Sequence, residues 1–120
     1  MANWKYPILF LASVAACSPA PGGKANALEA TEVNDLSVTL VWTDAARGEV
    51  RFSVERSEVS ESTGFNEVGK LLAGATSFQD LSVLPLTTYW YRVAAVFVDG
   101  KRTTSDVLKV TTQKPITVPV

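Results

Sequence analysis

The stretch Tyr89-Trp90-Tyr91-Arg92-Val93-Ala94-Ala95-Val96-Phe97 decides the fold. Successive side chains of an extended chain point to opposite sides, so counting by two from Tyr89 gathers Tyr91, Val93 and Ala95 on one face. Trp90, Arg92, Ala94 and Val96 fall on the other. The first set is apolar or aromatic throughout, whereas the second carries a guanidinium, so the first faces a core and the second faces water. Asp99-Gly100 then reads as a tight hairpin. Beyond it lies a last strand from Ser105 to Thr112, with Leu108 and Val110 inward.

Working back toward the amino terminus, the same period of two recurs. Val38, Leu40 and Trp42 alternate with Ser37, Thr39 and Val41, while Val50, Phe52 and Val54 alternate with Arg51, Ser53 and Glu55. The neighbouring strand thus sends Arg51, Ser53 and Glu55 outward beside Trp90 and Arg92. Shorter β-rich runs at Leu28 to Val33, Phe65 to Leu72 and Thr76 to Gln79 sit between turn residues, and no run sustains a helical period. An all-β domain of about seven antiparallel strands in two sheets follows. With 120 residues and 47% hydrophobic content, the chain has room for one such core and the composition to fill it.

From Ala27 to Thr112 the residues resemble the fibronectin type III family. Trp42 closes the second strand as that family's core tryptophan does, and Pro85, Thr87 and Tyr89 match its proline, threonine and corner tyrosine in spacing. The double threonine Thr111-Thr112 ends the last strand in the family manner. The resemblance implies a seven-stranded antiparallel two-sheet sandwich used for binding or as a spacer. Leu86 departs from it, because the family often has glycine there. The immunoglobulin alternative, with its bridging disulfide, is excluded because Cys17 is the only cysteine.

Several function classes drop out on composition. A formal net charge of -1 without a lysine or arginine cluster argues against nucleic acid as a partner. The absence of histidine removes the usual general base and the commonest zinc ligand, so the expectation is no enzyme, no metal and no cofactor. Glu55, Glu58 and Glu61 lack the oxygen-rich glycine loop a calcium site needs and are expected as a solvated edge. The adhesion tripeptide that some fibronectin type III modules carry between their last two strands is missing from Asp99-Gly100-Lys101-Arg102.

The amino terminus has the layout of a secretory signal: Lys5, then the apolar run Ile8-Leu9-Phe10-Leu11-Ala12, then small residues. Val14-Ala15-Ala16-Cys17 resembles the lipobox of bacterial lipoproteins, which implies cleavage before Cys17, a diacylglycerol on its thiol and acylation of the new amino group. Acyl chains such as palmitate would then hold the protein at a membrane, since two or more chains anchor stably. Ser18 resembles the residue that sends such proteins to the outer membrane of a two-membrane bacterium. The expected organisation is a signal peptide over 1–16, a lipid-anchored flexible tether over 17–26, the sandwich over 27–113 and an extended tail over 114–120.

The function expected is a non-enzymatic, lipid-anchored module of the cell envelope that meets a protein or glycan partner or acts as a spacer. An unmodified Cys17 would leave a soluble secreted module instead, and an accessory role beside an envelope hydrolase is the other alternative. The candidate partner-binding face is Trp90, Arg92 and Arg51, since tryptophan and arginine are enriched among interface hot spots. Its competing interpretation is that Arg92 or Arg51 merely covers the Trp90 ring.

Overall fold

A computed structural model describes residues 20–116. The signal segment, Cys17 and the end of the tail lie outside the described residues. The strands, in chain order, are β1 (Ala25–Val33), β2 (Val38–Asp44), β3 (Glu49–Ser57), β4 (Asn66–Leu72), β5 (Ser77–Asp80), β6 (Thr88–Phe97), β7 (Arg102–Thr104) and β8 (Leu108–Thr111). One sheet has the order β1-β2-β5; the other has the order β4-β3-β6-β7, with β8 also pairing β6. Every pairing is antiparallel. No helix among the described residues is long and apolar enough to cross a membrane.

The count of eight against the expected seven comes from the last strand, which is split. Ala94 pairs with Thr104 and Tyr91 with Leu108, so residues 105–107 lie opposite only Val93 and Arg92. This is a β-bulge, and Ser105 repairs the ladder across it. Its N–H donates to the Val93 carbonyl at 2.9 Å, and its Oγ accepts from the Val93 N–H at 2.9 Å. A second bulge corrects the reading of β3: Glu49 lies opposite Phe97 and Arg51 opposite Val96, leaving Val50 as the extra residue. Val50 is therefore half exposed rather than part of the core.

The core between the sheets is built from the inward phases. Val38, Leu40 and Trp42 of β2 meet Phe52 and Val54 of β3 and Tyr89, Tyr91, Val93 and Ala95 of β6. Trp42 meets Phe52 edge to face, with ring centres 5.9 Å apart, the arrangement aromatic quadrupoles favour. Gly69 of β4 lets the sheets close, because a Cβ there would sit 2.5 Å from the Phe78 ring.

The chain enters the fold earlier than expected. Gly22 exchanges backbone hydrogen bonds with Arg47 at 2.9 and 2.7 Å, and Ala25 is fully buried. At the other end, the tyrosine corner forms as the spacing implies. The Leu84 N–H donates to the Tyr89 hydroxyl at 2.8 Å, and Thr112 Oγ1 donates to the Leu84 carbonyl at 2.5 Å. Leu86, where glycine was the family expectation, has φ of 52° and so sits in the left-handed region. The β6–β7 hairpin is one residue longer than a two-residue turn. Gly100 donates to the Phe97 carbonyl at 2.9 Å and closes a three-residue loop with φ of 85°.

Arg56, Asp80 and Tyr91 form a buried polar strut between the sheets that periodicity did not reveal. Arg56 Nη1 donates to Asp80 Oδ2 at 2.9 Å and Tyr91 Oη donates to the same oxygen at 2.7 Å, while the guanidinium lies 4.8 Å from the Tyr89 ring centre. Burial opposes the Asp80 charge, but hydrogen bonds from the Ser82 hydroxyl and N–H, Tyr91 and Arg56 outweigh it. The carboxyl is held below its ordinary value. Burial, followed by the bond to Asp80, raises the Tyr91 phenol well above its usual range.

Candidate functional site

The outer face of the larger sheet carries the candidate residues. β3 contributes Arg51, Ser53, Glu55 and Ser57, each directly opposite an outward residue of β6: Val96, Ala94, Arg92 and Trp90 respectively. On the flanks, Lys70 lies opposite Ser53, Arg102 opposite Val96, and Lys109 opposite Trp90. Residues two apart along a strand are about 7 Å apart. The face is thus a grid of side chains whose places are set by ladder register.

Trp90, Arg92 and Arg51 share this face but do not make one cluster. Arg51 is opposite Val96, six residues along the strand from Trp90, which is about 20 Å. Arg51 Nη1 instead donates to Glu67 Oε2 at 3.0 Å. Arg92 is two residues from Trp90 on the same side of β6, yet its guanidinium stacks 4.1 Å from the Phe65 ring centre and its Nε donates to Glu55 Oε1 at 2.7 Å. The cation above Trp90 is Lys109, with Nζ 6.0 Å from the ring centre. Neither arginine covers the Trp90 ring, as the interpretation competing with binding required.

Glu55 is likewise not part of a solvated edge. It is 7% exposed and is gripped by both Arg92 and Arg102. Two guanidiniums on one carboxylate leave that cluster with a net positive charge. Glu58 and Glu61 are exposed, as expected, and Glu58 lies 3.9 Å from Arg56. Glu67 accepts a hydrogen bond from Ser53 as well as from Arg51, and both bonds lower its carboxyl from the ordinary value. Among the described residues no group of acidic, cysteine or histidine side chains is placed to hold a metal, and no enclosed cavity opens.

The charge of the module is segregated. On this one face, Arg51, Lys70, Arg92, Arg102 and Lys109 stand against only Glu55 and Glu67. On the outer side of the smaller sheet, Glu29 and Glu32 lie opposite Val41 and Thr39, and β1, β2 and β5 hold no lysine or arginine. Phe65, Lys109 and Arg102 are the members of the face that periodicity missed. Lys109 was findable, because it sits out of phase between the inward Leu108 and Val110.

No protein-family model matches the chain, and no curated protein does. Solved structures do match. A pectate lyase, Pel3 from Pectobacterium carotovorum, is 24% identical over 82% of this chain, with a TM-score of 0.66. The chain spans 29% of that lyase's length, under a third of it. A Fn3-like protein from Clostridium thermocellum is 25% identical, covering 84% of this chain and 98% of its own, with a TM-score of 0.59. A human fibronectin type III domain is 16% identical over 83% of this chain and 94% of its own, with a TM-score of 0.64. The strand order, the tyrosine corner and these likenesses together give the chain a fibronectin type III-like β-sandwich fold.

Proposed function

We propose that this chain is a non-catalytic lipoprotein of a bacterial cell envelope. It is acylated at Cys17 and offers the outer face of the larger sheet to a protein or glycan partner. The observation that carries the binding half is the segregation of charge onto that face, beside the Trp90 and Phe65 rings. The anchoring half is supported by the apolar run ending at Val14-Ala15-Ala16-Cys17. Since Gly22 already bridges Arg47, the five steps from Cys17 reach at most about 18 Å, so the sandwich would sit close to the bilayer. In a source with two membranes, Ser18 favours the outer one.

A non-catalytic role is supported by the absence of histidine, the commonest general base; the likeness to the pectate lyase spans only 29% of that enzyme. That likeness also favours a second reading, an accessory module working beside a polysaccharide-degrading enzyme of the envelope. Intact mass of membrane-extracted protein tests the anchor. The expected product begins at Cys17, carries acyl chains, and moves to the soluble fraction in Cys17→Ser. An unmodified terminus elsewhere, with unchanged partition of the variant, contradicts it.

A further inference from the structure

We infer that the outer face of the larger sheet binds an acidic polysaccharide, a chain of uronate sugars, along the β3–β6–β8 strands. The inference rests on the binding role proposed above and names the partner's chemistry. Two ring-and-cation pairs carry it: Lys109 beside Trp90, and Arg92 on Phe65 at 4.1 Å. A uronate residue has a flat C–H face that stacks on an aromatic plane and one carboxylate that an ammonium or guanidinium pairs with. The Trp90–Lys109 pair therefore matches one sugar residue, while Arg92, whose guanidinium already lies over the Phe65 ring, offers a second carboxylate partner along the face. A polymer of uronates repeats that match, whereas an acidic peptide supplies the carboxylate without the flat ring.

The face fits a polymer rather than a small acid. No cavity opens among the described residues, so affinity must come from extended contact. The cations also run the length of the sheet, with Lys109 at the Trp90 end and Lys70 and Arg102 toward the other. Arg92 meets Glu55 through Nε and Arg102 through Nη2, so each guanidinium keeps further N–H groups that take no carboxylate among the described residues. Glu55 orients both arginines without neutralising both, which leaves a preset positive centre on the face.

The test titrates the detergent-extracted full chain with polygalacturonate and, in parallel, with its fully methyl-esterified form, which keeps the sugar rings and loses the charge. Binding of the acid form, weakened about tenfold or more by the ester and by the double variant Lys70→Glu/Lys109→Glu, supports the inference. Added salt should weaken it in step, because exposed charge pairs are screened. Trp90→Ala should also weaken it, and all variants should keep the wild-type melting temperature.

Equal binding of both forms, or binding of phosphatidylglycerol vesicles but not of polygalacturonate, overturns the acidic-glycan assignment. No binding of polygalacturonate, with Trp90→Ala still stripping capture of an envelope protein, overturns the inference and leaves the binding role intact. No binding combined with unchanged capture by Trp90→Ala overturns both.

Discussion

Tyr89 shows what a single atom does in this fold. Its hydroxyl accepts the Leu84 N–H at 2.8 Å, so Tyr89→Phe should lose about 1–2 kcal/mol in denaturant unfolding with an unchanged m-value. Its neighbour Leu86 works in the opposite direction. A side chain in the left-handed region costs roughly 1–2 kcal/mol, so Leu86→Gly should raise stability by up to about 1 kcal/mol once glycine's extra chain entropy is deducted. Truncating a core ring is harsher: Trp42→Ala should cost about 3–5 kcal/mol. Tyr89 and Trp42 were legible because a period of two places them inward and the corner spacing fixes the tyrosine's role. Asp80 was not legible. An aspartate beside a strand end looks like a turn residue, and its burial depends on Tyr91 and Arg56, which lie 11 and 24 residues away in sequence.

At the level of strands, alternation identified where β2, β3 and β6 lie but not where their registers slip. Val50 matches the inward phase of Phe52 and Val54, yet a bulge before Arg51 turns it outward; that bulge is a property of the pairing with β6, which a single strand does not display. The same holds for the last strand, where Ser105 to Thr112 contains no glycine or proline to announce a break. Ser105 is the residue that makes this break tolerable, since its N–H and Oγ serve the backbone groups of Val93. Ser105→Ala leaves the buried Val93 N–H without its acceptor and should cost about 1–3 kcal/mol. Hydrogen exchange of that amide should quicken while the Tyr89 and Tyr91 amides keep their protection. The rings and cations of the outer face show a related limit. Trp90 and Arg92 could be placed on it by counting, but Lys109 over Trp90 and Phe65 under Arg92 required the register of β8 and the path of the chain into β4.

For the molecule as a whole, the strut between the sheets contributes to the response to acid. Asp80 titrates below the ordinary 3.8 in the folded state, so its stabilisation is complete above that value and is lost as pH falls through the folded value. Melting temperature should therefore fall as pH drops below about 4, and Asp80→Asn, less stable near neutrality, should show a shallower acid limb. The two sheets also divide the charge. The smaller sheet presents carboxylates outward and the larger sheet presents cations and rings, and the latter face is the one we propose meets a partner. The most direct measurement is a paired one on Trp90→Ala: thermal melting and retention on immobilised polygalacturonate, from the same preparation as the wild type. A face that binds predicts a melting temperature nearly unchanged from wild type, together with loss of retention. Retention equal to wild type, with a lowered melting temperature, would mean that Trp90 only covers the sheet.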